Sequence, residues 1–161
     1  MSTHLAGTLK LLEISLYEEF NPYSTNISAS KGVNLSMSNS ELISIDNDSS
    51  FLEIAKAKLG FESRLSLILT DGAKWIGENR TQKFDFIFAD TWHGKYLLLD
   101  EVLSMLKKGG LYIIDDMVSQ PNWPEGHQEK AIRLIEYLET REDFFLTKQV
   151  WATGIIIAVK R

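Results

Sequence analysis

Residues 84–117 read FDFIFADTWHGKYLLLDEVLSMLKKGGLYIIDDM. The stretch predicts a buried strand ending in Asp90, a helix, a Lys-Lys-Gly-Gly stop, and a second buried strand ending in Asp115 and Asp116. Two neighbouring parallel strands would then deliver three carboxylates to one edge of a sheet. In open α/β sheets the carboxyl-end edge is where ligands bind. Acids gathered there point to chemistry more than to packing.

Outward from that stretch, strand and helix patterns alternate from residue 41 onward. Leu42–Asp46 is a short apolar run closed by an acid, and Ser50-Phe-Leu-Glu53 has the form of a capping box. Ile54, Ala55 and Leu59 continue a helix that Gly60 can end. Leu65–Thr70 is the next strand, Asp71-Gly72 a turn, and Ala73–Glu78 a short helix. Tyr96–Lys108 reads as a helix with Leu99, Val102 and Leu106 at helical spacing and a basic end suited to the helix dipole. Gly109-Gly110 follows that helix and precedes a strand. A phosphate cradle has the reverse order, so the pair serves to stop the helix and turn the chain. Pro121 and Pro124 mark a loop before a helix from about Glu125 to Arg141, with Ile132, Ile135 and Leu138 on one face. Phe144–Trp151 and Ile155–Lys160 are joined by Ala-Thr-Gly, a link short enough to require an antiparallel pair. The pattern is that of a three-layer α/β sheet with an antiparallel terminal strand.

The first 40 residues carry two readings. In one, Leu9–Ile14 (LKLLEI) is the first and central strand. In the other, Leu5, Leu9, Leu12, Leu16 and Phe20 form the apolar stripe of a helix stopped by Asn21-Pro22. The Ser- and Asn-rich segment from Tyr23 to Ser40 is a poor helix under either.

The chain has 161 residues, enough for one domain with a single core, and no repeat or linker divides residues 1–161. A net charge of -5 argues against a nucleic-acid partner, which calls for a basic face. The absence of cysteine removes a disulfide, a thiolate-bound zinc and a thiol nucleophile, and fits a cytoplasmic location. No apolar run approaches membrane-spanning length, and MSTHLAGTLK lacks the pattern of a signal peptide.

Taken in order, ELISIDND, LILTDGA, FDFIFADTWHGKY, SMLKKGGLYIIDDM and TGIIIAVKR resemble the motifs of class I S-adenosylmethionine-dependent methyltransferases. The likeness is greatest to the small bacterial O-methyltransferases related to the catechol and caffeoyl-CoA enzymes. It spans about three quarters of the chain, from Ser40 to Arg161. The resemblance implies a Rossmann-like, mostly parallel seven-stranded sheet of order 3-2-1-4-5-7-6, with strand 7 antiparallel. It implies methyl transfer to a small-molecule acceptor, expected to be a hydroxyl oxygen, and often a homodimer.

Residue by residue, the resemblance implies that Asp46 accepts hydrogen bonds from the ribose hydroxyls, and that Asp71, Gly72 and Ala73 lie along the adenine. Asp90 would lie beside the methyl donor. With Asp115 and Asp116 it would form a site for Mg²⁺ or another divalent ion, whose hard charge suits oxygen ligands. His93 stands where the catechol-type enzymes have a lysine, and Asp116 where they have an asparagine. A larger departure is the missing Gly-rich loop after the first strand: no G-x-G occurs anywhere, and Ser15 stands where the first glycine belongs. If residues 8–20 were instead a preceding helix, SASKGVNLSM would follow it and the central strand would be missing. That would unpair both neighbours, a cost that favours LKLLEI as the strand. A member that had lost its cofactor loop would be a non-catalytic binding or oligomerisation module, the alternative function.

Each side chain also has a plainer reading. Asp46 at a strand end suits a turn; Asp90 and Asp115 suit a helix cap and a loop. An imidazole can take a proton near neutral pH, so His93 could act as a general base, yet it also reads as a loop histidine, and Lys95 stands similarly. Trp92 and Trp123 fall in loops on the ligand edge, where they would wall the adenine or an aromatic acceptor, or cover the core. Trp151 reads as core. His4 and His127 carry no signal.

Overall fold

The computed structural model describes the backbone of residues 9–14 together with residues 40–60 and 62–161. Seven strands are β1 (Leu9–Ile14), β2 (Ser40–Asp46), β3 (Leu65–Leu69), β4 (Phe84–Ala89), β5 (Leu106–Ile114), β6 (Phe144–Gln149) and β7 (Ile155–Lys160). They form one sheet in the order β3-β2-β1-β4-β5-β7-β6. The helices are α1 (Ser49–Leu59), α2 (Gly72–Asn79), α3 (Leu99–Met105) and α4 (His127–Glu139). Strands β1 to β5 run parallel, and β7 is antiparallel to both β5 and β6. This mixed sheet with its helices is a Rossmann-like α/β fold.

Leu9–Ile14 is a strand, paired with β2 on one side and β4 on the other. The helical alternative fails there, because only an extended segment can satisfy the facing backbone groups of both neighbours. The putting of β1 at the centre also disposes of the missing-strand reading. Ser15–Thr25, SASKGVNLSM and His4 lie outside the described residues.

The core draws Ile45, Ile87, Ala89, Tyr112, Ile114, Ile156 and Ala158 from the sheet. It adds Trp75 and Ile76 from α2, Val102, Leu103 and Met105 from α3, and Ala131, Leu134 and Leu138 from α4. On β5, β7 and β6 the row Tyr112–Ala158–Leu146 faces this core, while the next row, Leu111–Val159–Phe145, is more open. Period-two alternation divides the faces.

Several local expectations need correction. The N-cap of α1 is Asp48, whose carboxylate accepts from the Ser50 amide at 2.8 Å, so Ser50 lies inside the helix and no capping box forms. The helix expected over Tyr96–Lys108 spans only Leu99–Met105. Leu98 at its start is left-handed (φ 57°), and from Leu106 the chain is extended against Phe84. The Lys-Lys-Gly-Gly run therefore belongs to β5, as a bulge between the pairs Phe84↔Leu106 and Phe86↔Leu111. Lys107 pairs with Asp85 at 2.7 Å rather than with a helix end. On α4 the buried stripe is His127, Ala131, Leu134 and Leu138, and Ile132 is exposed. Trp151 is not core: β6 ends at Gln149, and the indole is 65% exposed in the following turn.

Candidate active site

Sheet register sets the site. Ile14 pairs with Ile45 and with Ala89, and Ala89 pairs with Ile114. Asp46, Asp90 and Asp115 each follow one of these registered residues, so all three stand in one row at the carboxyl edge. One strand spacing of about 4.8 Å separates the Asp90 and Asp115 positions, and two spacings, about 9.6 Å, separate those of Asp46 and Asp90, with β1 between them. Asp71 follows β3 on the same edge, where Thr70 donates its amide to the Asp46 carbonyl at 2.9 Å.

Asp46 is buried, and its Oδ1 accepts from the Asp48 amide at 2.8 Å. Burial raises its pKa above the ordinary carboxylate value, opposed by that backbone hydrogen bond. Asp71 caps α2, accepting from the Lys74 amide at 2.9 Å. Gly72 then passes directly under His93: a Cβ at Gly72 would lie 3.1 Å from the imidazole. The loops after β3 and β4 thus touch through a glycine and a ring. His93 Nδ1 is buried with no hydrogen-bond partner among the described residues.

The β4–α3 loop is held from below. Tyr112 on β5 is fully buried, and its hydroxyl donates to the Gly94 carbonyl; burial pushes its pKa well up. Above it an aromatic group forms. Trp92 and Tyr96 meet edge-on with centroids 5.4 Å apart, and His127 lies 5.5 Å from Tyr96 and 4.4 Å from Trp123. The Tyr96 hydroxyl is 3.3 Å from His127 Nε2, and Lys130 Nζ stands 4.2 Å over the Trp92 ring. Sequence reading placed Trp92 and Trp123 near the ligand edge but missed His127. Its signal was available: it opens the 127, 131, 134, 138 stripe of an amphipathic helix.

Asp115 and Asp116 lie in the loop after β5. Asp115 Oδ1 accepts from the Asp116 amide at 2.7 Å and from the Thr153 hydroxyl at 2.8 Å. Asp116 has φ 54°, and its pKa is raised by burial and then by the Asp115 charge, with Lys95 opposing. Lys95 is buried, and its ammonium donates to the carbonyl oxygens of Asp115 at 2.7 Å and Asp116 at 3.3 Å. The expected metal set does not assemble. Among the described residues no three His, Asp or Glu side chains are arranged to hold an ion, so Asp90, Asp115 and Asp116 are not a three-ligand group. One Asp115 oxygen already builds the loop, and an ammonium is already bound to its carbonyls.

Residues 1–148 match the sequence profile of a family described as O-methyltransferase. The chain belongs to this family. It is an S-adenosylmethionine-dependent methyltransferase by family and fold. No curated protein matches it. Among solved structures, this methyltransferase is similar to a Staphylococcus aureus protein assigned as a caffeoyl-CoA O-methyltransferase (20% identity, 95% of this chain and 76% of that chain, TM-score 0.74). It is also similar to a Geobacter sulfurreducens methyltransferase (21% identity, 95% and 71%, TM-score 0.69). A third is the S-adenosylhomocysteine-bound Podospora anserina methyltransferase PaMTH1 (16% identity, 94% and 71%, TM-score 0.67). At these identities the likeness is one of fold. Among the described residues of the methyltransferase, no helix is long and apolar enough to cross a membrane.

Proposed function

We propose that this methyltransferase moves the methyl group of S-adenosylmethionine to a hydroxyl oxygen of a small acceptor. The observation that carries the reading is the row of Asp46, Asp90 and Asp115 at the carboxyl edge of three registered parallel strands, with β1 between the first two. When bound, the cofactor supplies an already activated methyl on a sulfonium. The protein's task is to hold an acceptor oxygen in line with it.

Asp46 is the residue for the ribose, because a carboxylate is acceptor-only and suits two hydroxyl donors. Asp71, Gly72 and Ala73 offer a narrow backbone surface for the adenine, with Gly72 kept small by His93. Asp90 stands in the middle of the row, placed to meet the donor or the acceptor. His93 serves as the base that takes the hydroxyl proton, and Trp92 supplies a flat apolar wall. No step is routed through a divalent ion, since the donor set does not assemble one. The family match favours this reading over a non-catalytic module.

Calorimetry with S-adenosylhomocysteine tests the proposal. Saturable one-to-one binding is expected, and its absence up to about 1 mM would defeat the reading, since that concentration corresponds to only about 4 kcal/mol of binding. Methyl transfer to a panel of catechols and simple phenols then tests the oxygen acceptor.

A further inference from the structure

The buried ammonium of Lys95 demands an explanation. It is 4% exposed, so its charge must be met inside the protein. Two carbonyls of the β5 loop meet it, at 2.7 and 3.3 Å, and the Tyr96 ring lies 5.2 Å away. The Asp115 and Asp116 carboxyls belong to the same loop. The Asp115 carboxylate is oriented by Thr153 and by the Asp116 amide. Lys95 also counteracts the rise in the Asp116 pKa, which places its charge within electrostatic reach of that carboxyl. Oxygen-rich, acidic and partly buried, this edge has the chemistry that would attract a hard cation. A cation is already there, and it is covalently part of the chain.

We propose that Lys95 is the resident cation of the Asp115–Asp116 edge, so that the cofactor and acceptor site works without a divalent metal. A second positive ion would have to approach an ammonium fixed on the same carbonyls. Lys95 is thus a positioning residue. It balances the acidic loop and ties the β4–α3 loop, which carries Asp90, Trp92 and His93, to the end of β5. The inference rests on the proposed function only in assigning this edge to the reaction; the occupancy of the edge is independent of it.

The experiment is a titration with Mn²⁺ alone, read by electron paramagnetic resonance, on the wild type, Lys95→Met and Lys95→Arg. Calorimetry with S-adenosylhomocysteine runs alongside, with and without EDTA. The wild type and Lys95→Arg are expected to take up no Mn²⁺ to about 1 mM, the weak end of protein carboxylate sites. Lys95→Met is expected to gain Mn²⁺ affinity by about tenfold or more as the like charge is removed. The wild-type affinity for S-adenosylhomocysteine should not change with EDTA. Micromolar Mn²⁺ binding by the wild type would overturn the inference, as would a folded Lys95→Met that ignores Mn²⁺, or loss of S-adenosylhomocysteine binding in EDTA that Mn²⁺ restores. Should Lys95→Met fail to fold, the wild-type titration and the EDTA comparison still decide. If S-adenosylhomocysteine binds under no condition, the proposed function falls while the Mn²⁺ result stands for or against Lys95 by itself.

Discussion

Asp46 holds a charge where burial disfavours one. Its folded pKa lies above the unfolded value, so the carboxyl favours the fold at low pH, and that contribution is lost as pH rises through the folded value. Near neutrality the buried carboxylate is therefore a cost to stability. Asp46→Asn is expected to raise the thermal midpoint modestly and to weaken S-adenosylhomocysteine binding by about tenfold or more, as for loss of a charge-assisted hydrogen bond. Differential scanning fluorimetry and calorimetry read the two effects, and their opposite signs separate a binding role from a packing one. Wild-type binding should also weaken on acidification sooner than an ordinary carboxylate would dictate. A titration of affinity between pH 7 and pH 4 checks this. Tyr112 belongs at the same scale. Tyr112→Phe removes the hydroxyl donated to Gly94, with an expected cost of about 1 kcal/mol in urea unfolding. Weaker cofactor binding should accompany it, because the loop above carries Asp90, Trp92 and His93, the residues proposed to form the site.

At the scale of elements, the sheet edge is assembled by close approaches. The β6–β7 turn meets the loop after β5 through Gly154, whose φ is 85° and whose added Cβ would lie 2.4 Å from a Val118 methyl and 2.7 Å from its amide nitrogen. Met117 donates to the Gly154 carbonyl at 3.0 Å and Val118 to that of Thr153 at 2.8 Å. The same turn supplies the Thr153 hydroxyl to Asp115. Gly154→Ala would force both a disfavoured backbone and a clash, and an expected loss of about 2 kcal/mol should appear in chemical denaturation. Element types were legible in the sequence; their ends were less so. Periodicity cannot show that Leu98 turns left-handed or that Leu106 leaves the helix to pair with Phe84, because both depend on a neighbouring strand. Ile132 and His127 mark the same limit. The stripe of α4 that is buried is set by what packs on it: His127, Ala131 and Leu134 lie inward, while Ile132, which the apolar pattern placed on the buried face, is exposed.

For the whole molecule, β1 joins the two halves of the sheet: β2 and β3 lie on one side, and β4, β5, β7 and β6 on the other. An interior proline in β1 would remove a ladder donor and press its ring on a neighbour. Leu12→Pro is therefore expected to abolish cooperative folding, not merely cofactor binding, as circular dichroism during thermal unfolding would show. Asp116 is a counterexample at the same scale. Its charge is disfavoured by burial and by Asp115, and asparagine tolerates the left-handed backbone found there. Asp116→Asn should leave the fold intact and raise its thermal midpoint near neutral pH.

The order of strand and helix patterns determined the α/β class, and the strand-terminal acids Asp46, Asp90 and Asp115 pointed to the edge proposed to bind the cofactor. These follow from local alternation of apolar and polar residues, which a linear chain displays directly. Tertiary structure alone decided that Leu9–Ile14 is extended, since a stripe of leucines fits a helix or a strand until neighbours claim its backbone groups. It also decided that Lys95, Thr153 and Asp115 meet, because long-range contacts are fixed by how strands pair rather than by any pattern along the chain.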